Sequence, residues 1–294
     1  MKVFSKILIL LGLLSGCGTS AFAQILYKVE KNGSEKKSYI LGTHHFAPLA
    51  VIDSISQLPD IINSIDKFYG EMDMSIMADP IAMTGMQKYL MAPADSTLDK
   101  VLNEDQLSKL SIALNTLTGT TVPIEMMYGV KPAVLSTQIA ALLSQKVFPE
   151  LNPMEGLDNT LQNRAKACGK KVEGLESLEF QMDILYNRPI AKQAEELMES
   201  IEDLETVVTQ SKTICNAYLN HDLDTILKLM EEEKDDIKEM ERLIYSRNAN
   251  WVKILSEEMP ESSLMIVVGA GHLPGGKGIL EGLRSKGFTV TPII

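Results

Sequence analysis

Two of the four histidines in the chain that matter most for chemistry end apolar runs in one repeated setting. Tyr39-Ile40-Leu41 leads into Gly42-Thr43-His44-His45, and Ile266-Val267-Val268 leads into Gly269-Ala270-Gly271-His272. Each run reads as a buried strand, and the glycine after it as the residue that permits a sharp turn. Each imidazole is then presented at the carboxyl end of a strand, where open α/β sheets keep their binding crevices. The Gly-x-x-His spacing selects His45, not His44, as the counterpart of His272. If the two strands are neighbours, the two rings can meet. His221 falls in a polar helical connection and reads as a surface residue.

A third run supplies acids. Phe68-Tyr69-Gly70-Glu71-Met72-Asp73 places Glu71 and Asp73 on one face, because strand side chains alternate. A carboxylate ending an apolar strand is costly without a partner. A cation held by two imidazoles and a carboxylate removes that cost and leaves positions open for water. A lysine or arginine partner for Glu71 removes it equally well. Glu173 and Glu176 end another short strand. Arg247, in Ser246-Arg247-Asn248 before Trp251, has the fork to clamp a substrate carboxylate or stabilise an oxyanion, or forms a plain surface ion pair.

These residues need elements to position them. Ile25 to Glu30 and Ser38 to Leu41 flank a Lys-Asn-Gly-Ser turn and read as a hairpin. Residues 47–65 carry apolar positions at helical spacing, and 67–72 resume as a strand. Residues 75–150 read as mostly helical, broken near Pro93, Gly119, Pro123 and Pro132. A helix over 158–167 precedes a strand at 171–176. Residues 190–258 form a long helical region whose acids, Glu231 to Glu233, Asp235 and Asp236, read as a solvated face. Leu264 to Val268 is a strand of the fully buried kind, followed by a glycine-rich turn, a helix over 278–286 and a last strand, Phe288 to Ile293. Strand, loop and helix units at both ends predict an α/β (α+β) fold, one central mixed β-sheet covered by helices. The glycine-rich turn approaches a phosphate-binding loop, but Gly278 stands where Ser or Thr should hold magnesium. Six methionines between Met72 and Met91 suit adaptable packing or an apolar peptide groove better than copper.

The amino terminus reads as a signal peptide over 1–23. Lys2 and Lys6 give a positive end, Ile7 to Leu14 an apolar run too short to span a bilayer, and Ala21-Phe22-Ala23 a small-x-small cleavage site. This predicts an exported, periplasmic or extracellular protein, with residues 24–294 as a single domain. Leu14-Ser15-Gly16-Cys17 offers the alternative of a lipid anchor at Cys17. No later segment is long and apolar enough to cross a membrane. Formal net charge is −11 over 294 residues, and loss of the two leader lysines makes the remainder more negative still. Nucleic acid and anionic membrane surfaces are therefore poor partners. Beyond the leader only Cys168 and Cys215 remain, enough for one disulfide but not for a thiolate metal site.

Taken in order, Gly42-Thr43-His44-His45, Glu71, Gly174-Leu175-Glu176, Arg247-Asn248 and Gly269-Ala270-Gly271-His272-Leu273 form a set that resembles the TraB/GumN (TraB/PrgY/GumN) group of bacterial proteins. That group is related to the Tiki metalloproteases of animals, and the resemblance covers essentially the whole chain after the leader. It implies an EreA/ChaN/Tiki-like architecture. It also implies a metal-dependent hydrolase acting on peptides or proteins, with a divalent ion: manganese, cobalt or zinc. By resemblance His45 and His272 are metal ligands, Glu71 is a ligand or general base, and Glu176 and Arg247 support catalysis or bind substrate. Some relatives bind peptide signals or haem, so a non-catalytic peptide-, haem- or metal-binding protein using the same crevice is the alternative. His44, beside the motif histidine, could tune or compete for the metal.

Overall fold

The computed structural model describes residues 24–45, 47–149, 156–231 and 237–293. The signal and lipid-anchor readings on residues 1–23, and most of the acidic tract (232–236), lie outside the described residues.

The strands are β1 (Leu26–Lys31), β2 (Lys37–Thr43), β3 (Lys67–Gly70), β4 (Lys171–Gly174), β5 (Leu264–Gly269) and β6 (Phe288–Pro292). They form one sheet in the order β4-β3-β5-β2-β1-β6. β2, β5, β3 and β4 run parallel, while β1 is antiparallel to both β2 and β6. The fold is therefore α/β with a mixed sheet, as the sequence predicts. β1 and β2 pair through Leu26↔Leu41 to Glu30↔Lys37, closed by a turn in which Gly33 has φ +84°. That left-handed backbone is why Asn-Gly occurs there. Every residue of β5 is buried. An apolar run without alternation suits a central parallel strand covered on both faces. Its register with β2 (Gly42↔Val268) and with β3 (Gly70↔Val267) brings the carboxyl ends of the three strands level.

The helices are α1 (Ala50–Ser54), α2 (Leu58–Ser64), α3 (Pro80–Leu90), α4 (Leu98–Val101), α5 (Glu104–Thr118), α6 (Pro132–Val147), α7 (Leu157–Ala167), α8 (Leu178–Tyr186), α9 (Ile190–Glu202), α10 (Leu204–Leu219), α11 (Leu223–Glu231), α12 (Ile237–Met240), α13 (Ser246–Glu258) and α14 (Ile279–Ser285). Residues 47–65 are two helices, not one: the backbone leaves helical geometry at Ile55, and Pro59 falls in the first turn of α2, where its missing N–H costs nothing. α8 has no counterpart in the sequence reading. The region 190–258 is broken repeatedly, and Glu241–Tyr245 forms a π-helical turn leading into α13.

Backbone packing divides the described residues into two compact units. Ser75–Pro149 and Leu178–Lys212 form a helical unit, in which α6 buries Leu135, Ile139, Ala140 and Leu143 against α5 and α9. Met77, Met83 and Met91 are exposed on it, while Met86 is buried. Residues 24–74, 156–177 and 213–293 form the unit that holds the sheet. Cys168 is exposed and Cys215 buried, and both are free thiols.

Candidate functional site

Glu71 is the first residue past β3, and its carboxylate is almost wholly buried. Oε1 accepts the backbone N–H of Gly269, the last residue of β5, at 2.8 Å. Oε2 accepts from Nη2 of Arg247 at 2.6 Å. Burial opposes the charged form, but Arg247 above all, together with the nearby imidazoles and the Gly269 N–H, outweighs it and holds Glu71 below the ordinary carboxylate range. Glu176 joins the same guanidinium through both oxygens, to Nε at 3.0 Å and to Nη2 at 2.5 Å. Arg247 thus answers both carboxylates in a planar fork that a lysine could not reproduce. The π-helical turn contributes as well, since the Leu243 carbonyl accepts from Arg247 Nη1 at 2.9 Å.

The state of His272 follows from its neighbours. Asn248 donates its amide N–H groups to the carbonyls of His272 and Lys277, which fixes its Oδ1 toward His272 Nδ1 at 2.6 Å. Nδ1 therefore carries the proton. Nε2 faces Arg247 Nη1 at 3.2 Å, and a guanidinium can only donate, so Nε2 is the bare nitrogen. Desolvation first, then Arg247, lowers the pKa of this buried ring to about 3, consistent with a neutral imidazole. The same Nε2 lies 3.8 Å from Glu71 Oε1. Trp251, one turn beyond Arg247 on α13, stacks on both: its ring is 4.7 Å from the guanidinium and 4.4 Å from the His272 ring.

His45 and His44 leave β2 in different environments. His45 Nδ1 lies 2.9 Å from Asp158 Oδ2 at the start of α7, and 54% of its side chain is exposed. Desolvation disfavours its charged form, but Asp158 outweighs this and raises the pKa to about 9. His45 is also within electrostatic reach of Glu71 and His272. His44 is buried, with Nε2 3.8 Å from Cys215 Sγ and its ring 5.8 Å from that of Tyr218. Desolvation, with His45 nearby, lowers its pKa to about 3.

The arrangement thus joins Glu71, Glu176, Arg247 and His272 in one buried network, with His45 at the end of the adjoining strand. Glu173 stands apart, bonded to the Tyr69 hydroxyl and paired with Lys171. Asp73 pairs with Lys166. Arg247 is buried in an ion pair with two acids, so the plain surface pairing weighed for it does not hold. Gly42 and Gly269 do not have the positive φ of a sharp turn. Gly42 is small for another reason: a Cβ there would lie 2.8 Å from Ala270 Cα and 2.8 Å from Leu273 Cδ1, where the segment bearing His272 crosses β2. Sequence reasoning gave no role to Asp158, and it named Asn248 only within Arg247-Asn248, without a bonding role. Asn248 directly follows Arg247, and Asp158 opens a helix of the same unit, but neither type at those positions signals a bond to a particular histidine.

A polar cluster at the carboxyl ends of parallel strands defines an α/β protein whose site is assembled from both ends of its sequence. The profile of the TraB/PrgY/gumN family matches residues 25–292, and the chain belongs to that family. No curated protein matches it, and neither does any solved structure.

The donors fit a divalent ion in kind. His45 and His272 each engage Nδ1 with an oxygen acceptor, Asp158 or Asn248, which leaves Nε2 as the nitrogen that would face an ion, as in the usual outer-shell arrangement of metal-binding histidines. They also fit in charge: Glu71, Glu176 and Asp158 against one guanidinium leave two net negative charges when both rings are neutral. As the side chains stand, no three His, Cys, Asp or Glu among the described residues are grouped to hold an ion. Arg247 itself occupies the lone pair of His272 Nε2 and one oxygen of Glu71.

Proposed function

We propose that this protein is an exported hydrolase that acts on peptides with the help of a divalent ion held by His45, His272 and Glu71. The observation that carries the proposal is the pair of imidazoles on adjoining parallel strands, each anchored through Nδ1, with a buried carboxylate on the third strand. A bound manganese, cobalt or zinc ion would polarise the scissile carbonyl and lower the pKa of water. Glu71, anionic and close to His272, ligates the ion or accepts a proton at its carboxylate. Arg247 neutralises Glu176, and the Nη1 N–H that now faces His272 Nε2 is the donor that an ion on that nitrogen would release toward developing negative charge. Asn248 holds His272 in the tautomer that offers Nε2.

The test is cleavage of a peptide mixture by purified protein with manganese, cobalt or zinc, read by mass spectrometry. His45→Ala and His272→Ala are each expected to lower turnover by two orders of magnitude or more, on the order of the contribution of a metal-activated water. Cleavage equal to wild type in both variants would remove the proposal. A second reading is favoured by Arg247, which already satisfies both carboxylates. In that reading the crevice binds a peptide, haem or metal without turning it over, and the peptides are returned intact.

A further inference from the structure

Three side chains on one stripe of α7 reach the two strand ends that carry His45 and Glu71. Asp158, in the first turn, accepts from Thr43 Oγ1 through Oδ1 at 2.8 Å and faces His45 Nδ1 through Oδ2 at 2.9 Å. Gln162, four residues on and almost fully buried, donates to the Met72 carbonyl and accepts from the Met74 N–H, each at 2.9 Å, so it grips the backbone on both sides of Asp73. Its amide fills the space beside Gly70, where a Cβ would come within 2.4 Å of Nε2. Lys166, four further on, pairs with Asp73 at 2.8 Å. Residues at i, i+4 and i+8 share a helix face. The helix beneath them is seated by Leu157, Leu161 and Ala165, all buried.

We infer that Asp158 is a positioning residue for His45, while Gln162 on the same face of α7 holds the backbone that follows Glu71. Thr43 locks the carboxylate rotamer, since its hydroxyl uses one oxygen and leaves the other for the ring. A carboxylate can only accept, so the neutral ring carries its proton on Nδ1 and presents Nε2. An imidazole more than half exposed would otherwise rotate and exchange tautomers. The inference rests on the proposed function only for what Nε2 is used for; the orientation itself is independent of it.

The experiment is ¹⁵N-histidine correlation spectroscopy of the purified protein without added metal, at a pH above the titration of His45. His45 is assigned by its loss in His45→Gln. In wild type, the His45 nitrogen shifts are expected to report Nδ1–H and a bare Nε2. Asp158→Ala is expected to move His45, and not His272, toward the Nε2–H form. Asp158→Asn has one acceptor oxygen, which Thr43 holds, so its amide N–H faces the ring and His45 is expected to move toward the Nε2–H form there as well. A wild-type His45 protonated on Nε2, or a His45 spectrum indifferent to Asp158→Ala, would overturn the inference. If Asp158→Ala does not fold, the wild-type tautomer and the Asp158→Asn pattern still decide it. Cobalt titration, followed by visible absorption, separates this inference from the functional proposal. Asp158→Ala is expected to weaken binding about 10–100-fold. A wild type that takes up no cobalt, while the histidine shifts behave as stated, defeats the metal proposal and leaves the positioning role intact.

Discussion

Arg247 carries more of the site than any other side chain, because two buried carboxylates and the lone pair of His272 converge on its guanidinium. Removing one partner of a buried pair leaves an uncompensated charge, which costs about 3–5 kcal/mol. Arg247→Met is therefore expected to lower the urea midpoint by that equivalent. Arg247→Lys restores the charge but not the fork, and is expected to fall between Met and wild type. An Arg247→Met protein as stable as wild type would mean that Glu71 and Glu176 are hydrated or protonated in solution. Combining Glu71→Gln with Arg247→Met should recover part of the loss, since the double change removes one of the two orphaned charges.

Among the elements, the strands were legible and their reasons only partly so. The unbroken apolar run 264–268 announced a central strand, and the Asn-Gly turn announced the β1–β2 hairpin, because burial and turn chemistry leave local marks. Glu71, Arg247 and His272 could be picked out for the same reason: charged or imidazole groups at the end of buried segments need partners. What the sequence could not display was which residues would come across to meet them. Asp158 and Gln162 look like ordinary helical polar residues until α7 is laid against β3 and β4. Gly42 looked like a turn residue, yet serves a close crossing. Gly42→Ala is accordingly expected to cost about 1–3 kcal/mol through overpacking against Ala270 and Leu273, read as a fall in melting temperature. A neutral Gly42→Ala would show that the crossing has slack. The two helices within 47–65 and the break-up of 190–258 escaped because helical periodicity continues across a short interruption.

At the scale of the whole molecule, the dependence of stability on pH is dominated by groups buried in their neutral or paired form. His44 and His272 fall from 6.5 in the unfolded chain to about 3 in the fold. The unfolded state therefore binds more protons between those limits, and stability declines as pH falls through that window. Glu71, depressed by Arg247, acts in the same direction: its contribution is present above its ordinary value of 4.5 and is lost as acid protonates it. His45 has the opposite sign, contributing below 6.5 and losing that contribution as pH rises through about 9. Its exposure to solvent makes this a small effect. Melting temperature followed by circular dichroism is thus expected to drop steeply on the acid side of about pH 6.5 and only slightly on the alkaline side, with His44→Gln flattening the acid limb. An acid limb no steeper than the alkaline one would contradict the buried neutral state of these rings. No helix among the described residues is long and apolar enough to cross a membrane.

The indole on which Arg247 and His272 rest is the only tryptophan in the chain. Its tryptophan emission under ultraviolet light therefore originates from a single point, in contact with two groups of the proposed site. A molecule that draws the guanidinium off the ring, or protonates or ligates the imidazole, changes the brightness of that light, while binding at a remote surface leaves it alone. The protein carries an unlabelled optical gauge of its own occupancy, able to screen candidate substrates before any reaction has been found for them.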